Sequence, residues 1–369
     1  MKDLGNVREG PSPVDYIRWA KDNVGVGEFP LTMSAVPPVD WEEIGMDPRS
    51  LALFEFSRYG DDALLEGIAG EWGLSPEHIL LGGSASHAHF CCAAASLEPG
   101  DRVLQEVPGY LPLIDGLSVL RIEPVPFRRR FEDGYRLPCD ELRRAVEDPR
   151  VRMLLLTDLH NPSGVALTGE ERSFLAELCE TAGITVIVDE MYRPFIDPDP
   201  GPLHLLHDRI IAVRGLNKVH GLSQIRVGWG IGAPAMIERA RRVLDGTTIH
   251  NSCLTDQVAR HAWRVRERLV ARARGIAARG GAILGEWLER SPLEVVRPDG
   301  GLVCFPRIPA AVAEDGEALR TAALRVGVNL TPGRFFGEPH HVRLGCALPP
   351  PELEEALRRL EGVLPASAR

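Results

Sequence analysis

The sequence predicts an α/β protein, with a large domain built on a mostly parallel sheet covered on both faces and a smaller α+β C-terminal unit behind it. Three observations carry that expectation. Short apolar runs alternate with helix-period segments from Leu64 to Val213, the rhythm of strand–helix–strand units. Several of those runs, such as Met153-Leu154-Leu155-Leu156 and Ile210-Ile211-Ala212-Val213, are apolar throughout, as strands buried on two faces are. Beyond Leu293 the texture changes to short strands and two helices.

In chain order, Pro13 to Lys21 reads as a helix, and the Pro/Gly-rich stretch through Pro30, Pro37 and Pro38 as an extended arm. Leu64 to Trp72 is helical, His78 to Leu81 a strand, and His87 to Leu97 a helix stopped by Pro99-Gly100. Strands at Arg102 to Gln105, Val125 to Phe127, Met153 to Thr157, Ile184 to Val188 and Ile210 to Val213 follow. Helices at Leu111 to Val119, Cys139 to Glu147 and Gly169 to Ala182 separate them. Ala235 to Arg290 reads as long-helical and Arg-rich, with charges of both signs that suit a solvated face. Strands at Leu302 to Pro306 and Val342 to Cys346 and helices at Asp315 to Val326 and Pro351 to Leu360 complete the chain. The expected division is residues 1–45 as an arm and part of the small domain, 46–250 as the large domain, and 251–369 as the small C-terminal domain.

Composition narrows the function classes. The 369 residues suffice for two domains, and 44% hydrophobic with 25% charged residues is ordinary for a globular chain. A net charge of −10 argues against nucleic acid or an anionic membrane as the main partner. The seven cysteines are dispersed without a C-x-x-C pair, the usage of reduced thiols in a cytoplasmic protein. Met1 to Gly10 is polar and no run approaches a membrane span. No metal site is expected, because loop histidines such as those of His204-x-x-His207 and His340-His341 are commoner as surface residues than as ligands.

Four of the predicted strands end in polar residues that a plain turn does not need. Gly82-Gly83-Ser84-Ala85-Ser86 is a small-residue turn into a helix, a natural seat for a phosphate. It lacks the third glycine of a dinucleotide fingerprint and the lysine of a P-loop. Asn161, before Pro162, is held extended by its neighbour. Asp189 ends a buried strand and needs a cationic or hydrogen-bonding partner. Lys218 lies just beyond another strand's carboxyl end, where open α/β sheets keep their ligands. A partly desolvated amine there titrates low enough to attack a carbonyl. Arg226, eight residues on, carries the fork that grips anions.

In this order and spacing the motifs resemble the fold-type I, pyridoxal-phosphate-dependent aminotransferases of class I/II, from about Tyr59 to the C-terminus. The most specific pieces are Asn161-Pro162-Ser163-Gly164, Asp189-Glu190-x-Tyr192, and the Lys218…Arg226 pair with Gly228 behind it. Pro332-Gly333-x-Phe335-Phe336-Gly337, followed by Val342-Arg343-Leu344, adds a C-terminal signature. The resemblance implies a seven-stranded-type sheet, pyridoxal 5'-phosphate as cofactor and a homodimer. It makes Lys218 the Schiff-base lysine and proton shuttle, and Asp189 the partner that keeps the pyridine nitrogen protonated, so that the ring acts as an electron sink. Asn161 and Tyr192 would hydrogen-bond the cofactor's phenolic oxygen, and Tyr110 would stack on its ring. Ser84, Ala85, Ser86 and Arg226 would cradle the phosphate, with Tyr59 donated from the second subunit. Arg343, with Asn161 beside it, would fork the substrate α-carboxylate.

The sequence departs from that family pattern at Gly215, where Ser or Thr is usual, at Asn217, where Ser is usual, and at His220, where a large apolar residue is common. The phosphate cup is therefore one hydroxyl short, with Asn217 and His220 as candidate replacements. The expected reaction is ping-pong amino transfer from an amino acid to a 2-oxo acid. The alternatives are β-elimination of the C–S lyase type and decarboxylating oxidative deamination, because a shared electron sink does not choose the bond that breaks. A third class, the cofactor-sensing half of a transcription regulator, fits poorly with an acidic chain lacking a DNA-binding extension. The substrate side chain is expected to be neither aspartate nor glutamate, since Asp245 to Asp256 shows no counterpart of the dicarboxylate-selecting arginine of some relatives.

Overall fold

The computed structural model describes residues 13–365, so the polar segment Met1 to Gly10 lies outside the described residues. After helix α1 (Asp15–Asp22) and the two-residue strand β1 (Phe29–Pro30), the chain enters its large sheet through α2 (Asp62–Gly70) and β2 (Ile79–Gly82). There follow α3 (Ala85–Ala94), β3 (Arg102–Val107), α4 (Pro112–Asp115), β4 (Glu123–Arg128), α5 (Cys139–Ala145) and β5 (Val151–Thr157). Next come α6 (Gly169–Ala182), β6 (Thr185–Asp189), β7 (Ile210–Gly215), β8 (Gly228–Ile231) and the helices α7 (Pro234–Thr247), α8 (Cys253–Arg264) and α9 (Arg266–Arg290). The remainder is β9 (Val303–Cys304), α10 (Gly316–Leu324), β10 (Val328–Asn329), β11 (Thr331–Pro332), β12 (Val342–Gly345) and α11 (Pro350–Glu361).

The large sheet has seven strands in the order β2-β8-β7-β6-β5-β3-β4. Every pairing from β7 to β4 through β6, β5 and β3 is parallel, and only β8 runs against its neighbours. Alternation along the strands explains why these apolar runs need cover on two sides. On β5 and β6, Met153, Leu155 and Ile187 pack with Ala88, Cys92 and Ile237 of α3 and α7. Their neighbours Leu154, Leu156, Val186 and Val188 pack with Phe174, Leu175 and Leu178 of α6. Helix α6 starts and stops where its sequence says. Thr168 and Glu171 form a reciprocal capping box, and Gly183 closes the far end in the left-handed region at φ 66°.

Three expectations need correction. The helix from Leu111 to Val119 is only α4 plus a 3-10 turn at Ser118–Leu120; Gly116 sits where the helix would continue, and only proline favours a helix less. The long-helical region from Ala235 is three helices, broken at Thr248 and again at Val265. Strand β8 was not expected, because Gly228-Trp229-Gly230-Ile231 has two glycines and weak strand propensity. The glycines are needed where the backbones close in. A Cβ on Gly228 would lie 2.1 Å from the Ala85 nitrogen at the start of α3.

The arm returns to the end of the chain. β1 pairs in parallel with β10, and the three-stranded sheet β11-β12-β9 carries Arg343 on its middle strand. Phe29, Leu31 and Val36 of the arm share one apolar cluster with Trp287 of α9 and Leu357 of α11. Helix α8 packs the other way, with Val258, Ala259 and Trp263 in a cluster with Leu64, Ile79 and Trp229 of the large sheet's surroundings. No helix among the described residues is long and apolar enough to cross a membrane. All seven cysteines are free.

Candidate active site

The carboxyl ends of β5, β6 and β7 lie side by side, with Thr157 opposite Asp189 and Asp189 opposite Val213. The turns leaving those three ends bring Asn161, Tyr192 and Lys218 to one place, as a parallel sheet must. Lys218 Nζ donates to Ser34 Oγ at 3.0 Å. Tyr192 Oη donates to the Ser34 carbonyl at 2.7 Å, and the Val36 amide donates to the Lys218 carbonyl at 3.1 Å. The arm is thus tied across the lysine at three points.

Burial lowers the Lys218 pKa below the ordinary ammonium value, with Tyr16 and Asp189 opposing and Arg343 and Arg226 reinforcing that shift. Asp189 is pushed up to about 6, again by burial, while the Met191 amide and the Lys218 charge pull it back. Its carboxylate accepts from the Met191 amide at 3.0 Å. Burial also raises Tyr192 and Tyr110, so both phenols keep their protons at neutral pH.

Arg343 is 1% exposed. Its guanidinium donates to Asn161 Oδ1 at 3.1 Å, to Tyr16 Oη at 2.8 Å and to the Thr32 carbonyl at 3.4 Å, and it lies 4.9 Å from the Phe336 ring centroid. Among the described residues no carboxylate pairs with it, although other buried arginines are paired, as Arg129 is with Glu106 and Arg214 with Glu190. A buried guanidinium without a counter-charge is unfavourable unless a ligand brings one. Tyr16, Thr32 and Ser34 are residues of this site that sequence reasoning missed. They belong to the arm, and no local motif marks them.

At the turn into α3, Ser84 caps the helix by accepting from the His87 amide at 3.0 Å, so its hydroxyl is already engaged, while the Ser86 side chain is exposed. The backbone of Ala85 is pressed against Gly228. Arg226 is exposed. With the Asn217 amide oriented to satisfy both its ends, its nitrogen donates to the Val227 carbonyl at 3.0 Å and its oxygen accepts from Arg226 at 2.7 Å. Asn217 therefore aims the arginine. Gly215 has a steric reason, since a Cβ there would stand 2.9 Å from the Val227 carbonyl and 3.1 Å from the Gly228 Cα. His220 is buried and lines a crevice of about 340 Å³ together with Gly215, Trp72, Trp229 and Trp263.

Tyr110 is held from behind. His160 bonds the Pro108 carbonyl at 2.8 Å and Ser163 Oγ at 2.6 Å, fixing the turn that presents the ring beside Tyr16. Tyr59 is not brought to the Lys218 of its own chain. Its hydroxyl reaches Asp245 at 3.3 Å, and Arg58 and Arg241 lie over its ring. His204 bonds the Ile210 carbonyl and His207 bonds Glu180, and no group of three or more His, Cys, Asp or Glu able to hold a metal occurs among the described residues.

The site around Lys218 therefore offers an amine of depressed pKa, a carboxylate and a second, buried arginine that have no ion-pair partner among the described residues, and a capped helix N-terminus with a nearby arginine. That donor set fits a group bearing an aldehyde, a basic ring nitrogen and a phosphate. Residues 25–360 match the family model described as aminotransferase class I and II. The chain is 27% identical to capreomycidine synthase of Streptomyces vinaceus, over 95% of this chain and 93% of the other. It is 30% identical to the arginine–pyruvate transaminase AruH of Pseudomonas aeruginosa, over 77% and 74% respectively. Among solved structures, a PLP-dependent aminotransferase from Streptococcus suis superposes with a TM-score of 0.89 at 25% identity, covering 96% of this chain and 98% of that one. The aspartate aminotransferase of Thermus thermophilus with maleate gives a TM-score of 0.87 at 23% identity over 96% and 97%, a likeness of fold.

Proposed function

The chain belongs to the class I and II aminotransferases, and we propose that within that family it moves the amino group of an α-amino acid lacking a side-chain carboxylate onto a 2-oxo acid. It is a pyridoxal 5'-phosphate-dependent aminotransferase with an α/β fold of type I. The cofactor, when bound, supplies an aldehyde that captures amines and a ring that accepts electrons from the substrate's α-carbon.

The observation that carries the finer reading is Arg343, buried without a carboxylate and held by Asn161 and Tyr16. Its planar fork suits the substrate's α-carboxylate, and Asn161 fixes its rotamer. Lys218 would hold the cofactor between turnovers and carry the proton to and from the substrate α-carbon, for which a lowered amine pKa is an advantage. Asp189 would accept the hydrogen bond of a protonated ring nitrogen, and its burial strengthens that pairing. Asn161 and Tyr192 would face the phenolic oxygen, and Tyr110 the ring. The Ser84, Ala85 and Ser86 turn, with Arg226 aimed by Asn217, would seat the phosphate.

A homodimer is part of this reading. Leu53, Phe54, Phe56 and Ile249 are 69–87% exposed, and a cluster of large apolar side chains next to Tyr59 is what a second subunit would cover. Tyr59 would then reach the neighbouring site. We place the working division of the chain near Val265, where α8 leaves the large sheet and α9 enters the small domain.

The test is a set of half-reactions on purified, cofactor-loaded protein with an amino-acid panel that includes arginine, alanine and aspartate, followed by 2-oxo acids. Amino exchange that requires the oxo acid, faster for arginine or alanine than for aspartate, is the expected result. Ammonia or carbon dioxide released without an acceptor would overturn it in favour of elimination or decarboxylation.

A further inference from the structure

A second cavity, of about 280 Å³, lies where the edge of the large sheet meets the small domain. Its walls come from the segment following β4 and from the segments around β9 and β12. None of the residues that bond Lys218 or Arg343 lines it. Three of its side chains are almost completely buried: Arg129 and Tyr135 at 1% exposure and His341 at 5%.

Polar groups buried this deeply normally find partners. Here Arg129 Nη2, Tyr135 Oη and both ring nitrogens of His341 have none among the described residues. An unmade hydrogen bond of that kind costs about 1–3 kcal/mol, so several around one cavity mark a place built to meet a polar occupant. The rest of each side chain is firmly fixed. Arg129 donates to Glu106 at 2.9 Å and to the Tyr135 carbonyl at 2.6 Å. The His341 ring stacks on Phe305 at 4.7 Å and 14°. The Tyr135 ring packs against Phe131 at 5.9 Å and His160 at 5.5 Å. The free atoms are therefore held in place rather than free to turn toward other partners.

The chemistry of the lining selects the occupant. Arg129 Nη2 only donates, Tyr135 Oη can donate, and a neutral imidazole donates from one nitrogen. Around them stand Arg128, Arg130 and Arg307, against Glu132 and Glu338. Arg128 is paired with Glu338, and Arg307 with Glu132 and Glu294. Arg130 is exposed at the rim. Donors thus dominate, and the formal charge of the lining is positive. We propose that this cavity is a second binding site, separate from the one around Lys218, for a small oxyanion: a phosphate- or carboxylate-bearing molecule whose oxygens accept from Arg129, Tyr135 and His341.

The experiment is calorimetric titration of the cofactor-loaded enzyme with inorganic phosphate and, separately, with malonate, while the side-chain nitrogen signals of His341 are followed by NMR. Loading fills the cofactor's own phosphate seat. The expected result is a millimolar or tighter event that moves the His341 signals. His341→Phe, which keeps the stack on Phe305, and Tyr135→Phe should each weaken it about tenfold, the loss of one hydrogen bond to a charged group. Arg130→Gln at the exposed rim should weaken it about twofold to threefold and serves if the buried variants fail to fold. Phosphate binding alone, or malonate binding alone, identifies which oxyanion the cavity takes. Absence of both events, or binding that all three variants leave unchanged with the His341 signals unmoved, overturns the proposal and leaves a cavity that holds only water.

Discussion

Asp189 and Glu190 are consecutive carboxylates at the end of one strand, yet they are treated in opposite ways. Glu190 is 0% exposed and fully engaged, accepting from the Leu203 amide at 2.8 Å and from Arg214 at 2.8 Å, while Arg214 also bonds Asp199 at 2.8 Å. Asp189 points to the other side of the strand and has one backbone amide for company. The same contrast separates the arginines. Arg214 is locked into its carboxylates, whereas Arg343 is buried among Asn161, Tyr16 and Thr32 with no counter-ion among the described residues. Buried charge that is satisfied internally belongs to the scaffold. Buried charge left unsatisfied belongs to a ligand, and the chain tolerates its cost for that reason.

This contrast can be broken at several points. The largest effect is expected from Lys218→Ala, which should lower amino transfer by about 10⁴-fold or more, because it removes the group proposed to move the proton. Half-reaction kinetics check this, with circular dichroism to verify the fold. Asp189→Asn should cost about 10³-fold in kcat while making the cofactor-free chain more stable. The sign follows from linkage: burial raises the carboxyl from 3.8 to about 6, so the folded state binds the proton more tightly than the unfolded one between those values. The penalty is absent below pH 3.8, grows with rising pH, and is complete above about 6. The asparagine variant should therefore gain roughly 2–3 kcal/mol in urea unfolding above that range and nothing at the acid end.

Glu190→Gln should do the reverse and destabilise the chain by about 1–3 kcal/mol at neutral pH, because it removes one of the two carboxylates that hold the buried Arg214 and leaves Asp199 alone with it. If the two neighbours shifted stability in the same direction, the distinction between scaffold and socket would fail. Gly215→Ser should cost about 1–3 kcal/mol through its contact with the Val227 carbonyl; a thermal melt checks it, and an unchanged midpoint would show that β8 moves aside. The smallest change is expected from Asn217→Ala, which releases Arg226 and should weaken cofactor binding by about tenfold in a fluorescence titration.

Much of the candidate site was legible because its central residues sit at strand ends, where local pattern and position coincide. Lys218, Asp189 and Asn161 each follow a buried apolar run, and parallel topology brings such ends together regardless of loop detail. Arg343 was legible through its motif. The arm's share was not, because Lys218 and Ser34 are separated by 184 positions and Arg343 and Tyr16 by 327. Contacts so distant leave no periodicity to read. Strand β8 was hidden by glycines whose purpose is closeness to α3, and the role of Asn217 emerged only once Val227 and Arg226 stood beside it.

The pairing of β1 with β10 has a consequence for how the protein is made. Chains generally begin folding from the end that leaves the ribosome first, but Phe29 and Pro30 have no strand to join until Val328 and Asn329 have been synthesised. The Lys218 amine therefore stays uncovered from its own synthesis until that strand has followed it, and a nascent chain stalled short of that strand would carry a finished large sheet and a site that the arm cannot close.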